Sequence, residues 1–126
     1  MYVSHDEGET WSAPQIVNDT HLGSPVFMER FGAPAHFLLH SSGALILCCG
    51  KRTEPCGQYA RISWDRGLTW QEDRMIGPEA QAFATDQGYP SSVELSNGDI
   101  LTAYYQRAPG DDYPSVLYTR WSLEEK

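Results

Sequence analysis

The octapeptide SHDEGETW, Ser4 to Trp11, recurs after 59 residues as SWDRGLTW, Ser63 to Trp70. A motif of the form Ser-x-Asp-x-Gly-x-Thr-Trp written twice points to a fold assembled from one repeated unit. A second correspondence lies beside the boxes. Gly32 to Arg52, GAPAHFLLHSSGALILCCGKR, aligns with Gly88 to Arg107, GYPSSVELSNGDILTAYYQR, with one residue of slippage before the turn and an offset of 55 from Gly43 and Gly98 onward. In each copy two apolar runs flank a Gly-containing turn, Ser41-Ser42-Gly43 or Ser96-Asn97-Gly98, which is the pattern of a β-hairpin.

The whole unit reads as four strands, at 34–40, 44–51, 57–63 and 69–76, with the Ser-x-Asp box as the turn between the third and fourth. The next unit predicts strands at 89–95, 99–106 and 115–122. Arg61-Ile62-Ser63 is echoed by Arg120-Trp121-Ser122, after which the box decays, with Glu124 where the Asp would stand. Met1 to Val3 enter in the middle of another third strand. Eleven Gly and eight Pro interrupt the chain, and no window sustains a helical apolar period. The expected fold is all-β. Four-stranded repeats that cannot each bury both faces are the building units of a β-propeller, which closes with about four to eight blades. The chain then holds a partial blade at 1–20, a full blade at 32–77 and a partial blade at 88–123, as one domain. It reads as the carboxy-terminal excerpt of a longer propeller, with the remaining blades as partners.

Composition narrows the function classes. A content of 40% hydrophobic and 21% charged residues is globular. Nine Lys and Arg against 17 Asp and Glu give a net charge of -8, which argues against nucleic acid as a partner. No run approaches the ~20 apolar residues that span a bilayer, and MYVSHDEGETW lacks a basic segment followed by an apolar one. Neither a membrane anchor nor a signal peptide is expected in this stretch. Cys48, Cys49 and Cys56 form an odd set, and adjacent strand residues point to opposite faces, so buried thiols are expected rather than a disulfide framework. Without a second pair of ligands at matching spacing, no metal site is expected, and no cofactor.

Each box has a structural job. The carboxylates of Asp6 and Asp65 can accept bonds from nearby backbone N–H groups, Gly8 and Gly67 can adopt positive φ, and Trp11 and Trp70 can bury against neighbouring strands. With Ser4, Thr10, Ser63 and Thr69, these residues make up a motif that resembles the Asp box, or BNR repeat. Two boxes at blade spacing, with the hairpin repeat between them, look like the sialidase (neuraminidase) superfamily of six-bladed propellers. The resemblance spans Tyr2 to about Ser122, and it is to a divergent, sialidase-like branch.

The resemblance extends to TDQGYPSSVELSNGDILTAYY, Thr85 to Tyr105. Sialidases follow a box-bearing blade with a Tyr-initiated strand, and Tyr89 falls on that Tyr. In the family it is the nucleophile, and a neutral phenol suits an anomeric centre whose own carboxylate would repel Asp or Glu. Read from the residues alone, Tyr89 is equally an ordinary strand aromatic. The family binds the substrate carboxylate with arginines. Arg52 is the nearest candidate here, although the familiar pattern places that residue closer to the box Ser. His36, which aligns with Ser91, is a channel-lining candidate or a satisfied strand histidine. Asp86 bonds a sugar hydroxyl or caps a turn, and Arg61 reads as a solvated strand residue. Departures from the family are Pro90 in place of Ser and the lack of a Glu on 34–40. The resemblance implies a fragment of an exo-glycosidase that hydrolyses terminal sialic acid, inactive without the other blades. A non-catalytic Asp-box propeller that binds glycans or proteins, and a glycosidase for another sugar, are the alternatives.

Overall fold

The structure, a computed structural model, describes residues 1–17, 34–52, 54–81 and 86–123. The described residues contain no helix. Their strands are β1 (His36–Leu39), β2 (Leu45–Lys51), β3 (Gly57–Ser63), β4 (Arg74–Met75), β5 (Gly88–Glu94), β6 (Ile100–Gln106) and β7 (Ser115–Trp121). Two antiparallel sheets result, ordered β1-β2-β3-β4 and β5-β6-β7. Short connections between successive strands make each sheet an up-and-down meander. The two hairpin turns repeat in detail. His40 N–H donates to Ala44 O at 2.9 Å and Gly43 N–H to His40 O at 2.8 Å, while Leu95 N–H donates to Asp99 O at 2.7 Å and Gly98 N–H to Leu95 O at 2.9 Å. The offset of 55 is therefore structural as well as sequential.

The core lies between the sheets, where β5 packs against β1 and β2. Its buried cluster is Ala44, Ile46, Cys48, Ala60, Ile62, Ile76 and Ile100, with Leu38, Trp121 and Leu123 at its edge. Ile46 stands opposite Ile62 and Cys48 opposite Ala60, so one face of β2 and β3 supplies most of it. Removing a side chain such as Ile46 from water is worth roughly 1.5–3 kcal/mol. Ser92, Thr102 and Trp121 bring polar atoms into this layer and satisfy them there. Ser92 Oγ bonds Thr102 Oγ1 at 2.9 Å and donates to Cys48 Sγ at 3.3 Å, and Trp121 Nε1 donates to Thr102 Oγ1 at 2.9 Å. Burial pushes the Cys48 thiol pKa up. At the hairpin-turn end, Ser41 donates its N–H to Glu94 Oε2 at 2.8 Å and its hydroxyl to Glu94 Oε1, and His40 Nε2 meets Gly98 O at 2.9 Å.

The two Ser-x-Asp boxes share the same Ser, Asp, Gly and Thr bonds. Asp65 Oδ1 accepts from Thr69 N–H at 2.8 Å and from Ser63 Oγ at 2.8 Å, Oδ2 accepts from Thr69 Oγ1 at 2.6 Å, and Gly67 N–H donates to Ser63 Oγ at 2.7 Å. In the first box Asp6 accepts from Thr10 N–H at 2.9 Å, from Ser4 Oγ at 2.8 Å and from Thr10 Oγ1 at 2.5 Å, and Gly8 N–H donates to Ser4 Oγ at 2.8 Å. Gly8 and Gly67 take φ of 94° and 87°, which a side chain would strain. The second box is the β3–β4 turn. The first closes a hairpin in which Met1 and Gln15, and Val3 and Ser12, pair through their backbones without forming a regular strand. Gln15 Nε2 donates to Gly67 O at 2.9 Å, so one box hairpin is seated on the other.

Several expectations need correction. The fourth strand shortens from 69–76 to Arg74–Met75: Asp65 holds Thr69 in the box turn, and Gln71 N–H reaches Ile62 O at 2.9 Å without extending the strand. Met1 to Val3 form no strand. Trp70 is half-buried, its ring tilted over Phe37 at 6.2 Å, whereas Trp11 is 63% exposed. Arg61 is not solvated: its side chain is 18% exposed, pairs with Asp73 and donates to Val17 O at 2.6 Å. The echo of 61–63 in 120–122 is displaced by one residue. Ile46, opposite Ile62, corresponds to Leu101, whose partner is Arg120 rather than Trp121. Cys48 and Cys56 are buried and Cys49 is half-buried, with no disulfide among them. Glu124 and residues 18–20 and 32–33 lie outside the described residues.

Thr69 holds Asp65 at a pKa of about 2, below the ordinary 3.8, mainly through its hydroxyl. The bond's contribution to stability is complete above about 3.8 and is lost as pH falls towards 2. A carboxyl NMR titration should place the Asp65 midpoint near 2, and Thr69→Val should move it back towards 3.8. At Gly77 an added Cβ would run into Tyr104 Oη, which bonds Thr119 Oγ1 at 2.8 Å. Gly77→Ala should lower stability by about 1–3 kcal/mol in urea unfolding, with an unchanged denaturant slope.

Candidate functional site

The end of the sheets away from the hairpin turns brings together the end of β2, the start of β3, the start of β5 and the end of β6. A bulge organises it. Gly88 pairs with Tyr105 and Ser91 with Ala103, so Tyr89 and Pro90 together stand opposite Tyr104. One extra residue on β5 reverses which residues face which side. Ser92, beyond the bulge, is buried against β2. Gln87, before it, is also buried, and it donates from Nε2 to Lys51 O at 3.0 Å. The side chain of Tyr89 is left 55% exposed.

Tyr89 adopts φ of 52°, directly after Gly88 at φ of 117°. A bulky residue in the left-handed region costs on the order of 1–3 kcal/mol, and such outliers gather at functional sites. Its ring stacks on Tyr105, with centroids 5.8 Å apart and planes 15° from parallel. Tyr105 Oη donates to Asp86 Oδ1 at 2.6 Å. That bond leads the effects that push the Tyr105 pKa up to about 12; burial and the charges of Asp86 and Tyr89 act in the same direction, and the Arg52 charge acts against them. Arg52 Nη2 reaches Gln87 O at 3.5 Å. Beneath the tyrosines is a buried polar layer, in which Gln58 Nε2 donates to Gln106 Oε1 at 3.4 Å and Gln106 Nε2 to Pro78 O at 2.9 Å. Among the described residues, Arg52 Nε, Gln58 Oε1, Gln87 Oε1 and Arg107 Nε are buried without a hydrogen-bond partner.

Tyr89, Asp86 and Arg52 are thus gathered at one end of the molecule. Asp86 serves the phenol of Tyr105, a role that neither sequence reading contained. His36 stands apart from them: its Nδ1 accepts the Ser92 N–H at 3.1 Å and links β1 to β5. Ser4, Asp6, Gly8, Thr10 and Trp11, and Ser63, Asp65, Gly67, Thr69 and Trp70, lie in the box turns. Tyr105, Gln87 and Arg107 were missed in the sequence. Gly88 at the head of the 89–95 run was the available signal for the bulge, since glycine suits the positive φ of 117° that it takes there. Arg107 repeats Arg52 at the offset of 55. A cavity of about 230 Å³ lies at the opposite end, lined by His40, Ser42, Trp64, Asn97, Gly98 and Asp99 among others. Its His40 and Ser42 are engaged with each other at 2.8 Å, so the strained tyrosine marks the better candidate. No group of three or more His, Cys, Asp or Glu among the described residues is arranged to hold a metal ion.

No protein-family model matches the sequence, and no curated protein matches it significantly. Among solved structures it is similar to the crystal structure of a protein of unknown function from Dyadobacter fermentans DSM 18053. Identity is 24% and the TM-score 0.72, over 98% of this chain and 30% of that one. The likeness is one of fold, and the chain spans under a third of that protein.

The Asp86 bond is open to titration. With a raised pKa, Tyr105 keeps its proton until well above 10, and the bond it donates is lost as pH rises through about 12. In an ultraviolet tyrosinate titration, Asp86→Asn should bring one phenol down from about 12 towards 10, with the other tyrosines unchanged.

Proposed function

We propose that the two sheets are adjacent blades of a longer, sialidase-like propeller of six blades, and that the whole protein is an exo-glycosidase releasing terminal sialic acid through Tyr89. The reading of the sheets as blades is supported by how they stack. Leu38, Ile46 and Cys48 face the second sheet, and at the offset of 55 they correspond to Val93, Leu101 and Ala103. Those residues share the outer face of the second sheet with Val116 and Tyr118, which are 84% and 75% exposed. The face buried in one copy is open in the next, as in a head-to-tail series that another sheet would continue.

The observation that carries the functional reading is the exposed, left-handed Tyr89 at a bulge, with Arg52 and Asp86 at the same end. A phenol attacks an anomeric carbon beside a carboxylate without charge repulsion, and an arginine fork receives that carboxylate. The acid/base residue, the carboxylate that takes the Tyr89 proton and further arginines belong to the remaining blades. In the whole protein, Tyr89→Phe should lower kcat for an aryl sialoside on the order of a thousandfold or more. Arg52→Ala should mainly weaken binding, by about tenfold to a hundredfold. Unchanged turnover in Tyr89→Phe would sink the proposed nucleophile.

The second reading is a non-catalytic propeller that binds glycans or proteins. It is favoured by the commitment of Asp86 to Tyr105, which leaves that carboxylate occupied instead of facing the Tyr89 phenol. Retained binding of sialyllactose by a protein without turnover would select it.

A further inference from the structure

One residue touches three of the four positions from Asp86 to Tyr89. Tyr105 donates its phenolic hydrogen to Asp86 at 2.6 Å, pairs through its backbone with Gly88 and stacks its ring on Tyr89 at 5.8 Å. The fourth position, Gln87, is tied from the other side to Lys51 O. Tyr89 therefore leaves the ladder at the bulge but does not leave the sheet, because the neighbouring strand supplies an aromatic surface under its ring. A strained conformation of this kind persists only where its surroundings over-determine it. Offset stacking of two rings is directional, and it fixes an aromatic side chain that solvent would otherwise leave to its rotamers.

From these contacts we infer that Tyr105 is the positioning residue of the site, fixing the exposed ring of Tyr89 and holding Asp86 beside it. The two tyrosines then divide their roles. The phenol of Tyr105 is occupied as a donor to Asp86, the bond that leads the rise of its pKa to about 12. The hydroxyl of Tyr89 takes no part in that bond, and Tyr89 is 55% exposed. Asp86 is fixed as an acceptor within the same frame, and Arg52, whose charge also reaches Tyr105, completes the group. The geometric role stands on the contacts themselves; only its effect on turnover rests on the proposed reading of Tyr89 as the reacting phenol.

The test separates ring packing from hydroxyl bonding. In aromatic NMR spectra of the protein, the Tyr89 ring signals are identified by their loss in Tyr89→Phe. Tyr105→Leu should remove their ring-current displacement, while Tyr105→Phe, which keeps the stacked ring, should retain most of it. In the whole protein, with an aryl sialoside as the probe, Tyr105→Leu should lower kcat on the order of a hundredfold with KM within about threefold, as expected for a misplaced reacting group. Tyr105→Phe should restore part of that loss. Tyr89 signals that stay unmoved in a folded Tyr105→Leu protein would overturn the inference. Should Tyr105→Leu not fold, ring-to-ring nuclear Overhauser contacts carry the test: the Tyr89 and Tyr105 ring protons should show them in the wild-type protein, and Tyr105→Phe should keep them. Their absence would again overturn the inference. Absence of turnover in the whole wild-type protein would defeat the hydrolase reading and leave the ring-stack result standing, so the two fail separately.

Discussion

Burial of one face of β2 and β3 against β5 and β6 is the contact on which the rest of the molecule depends. Ile46, Cys48, Ala60 and Ile62 form a single apolar stripe because side chains on a strand alternate with period two. A slip of one residue would turn that stripe to the outside, so the stripe fixes the register of the first sheet. It also fixes the second sheet, since Ile100 must enter the same layer and Ser92 and Thr102 must meet Cys48 and Trp121. Both ends of the sheets are then determined. At the turn end Ser41 and His40 reach Glu94 and Gly98, and at the other end Gln58 reaches Gln106.

Against that strict alternation, the bulge at Tyr89 and Pro90 is a local exception with a large effect. Gln87 enters the buried layer and Tyr89 is exposed beside Tyr105, although a regular strand would not give that arrangement from the same sequence. The buried glutamines serve as counterparts to the apolar stripe. They bond one another and the backbone at Lys51 and Pro78, and they fill the end of the layer with polar contacts where the strands part. The proposed chemistry sits at this polar end, away from the apolar stripe.

Much of the fold was legible from repetition. The box turn, both hairpins and the strands other than β4 lie close to where the spacing of Gly, Asp and the apolar runs puts them, because each is a local device. Asp65 and Asp6 hold their turns with bonds inside eight residues, and local chemistry repeats when sequence repeats. The exceptions needed information from elsewhere in the chain. Arg61 looks like a solvated residue until Asp73 and Val17 are brought to it. Trp11 and Trp70 are identical in their motifs, yet Trp70 meets Phe37 and Trp11 remains exposed. Tyr89 could be singled out by motif, whereas its partner Tyr105, sixteen residues away, could not.

By itself, then, the sequence determined the unit: four short strands, a hairpin turn at an offset of 55, and a box whose Ser, Asp, Gly and Thr bond one another. These follow from the dihedral preferences of glycine, the acceptor capacity of a carboxylate and the period of a strand, all of which act within a few residues. Only the tertiary structure decided which face of each sheet is covered, that Asp86 belongs to Tyr105, and that Tyr89 stands strained and exposed on its neighbour's ring. Those outcomes depend on how two sheets share one apolar layer and where an extra residue breaks their ladder, and such long-range pairing leaves no local mark in the chain.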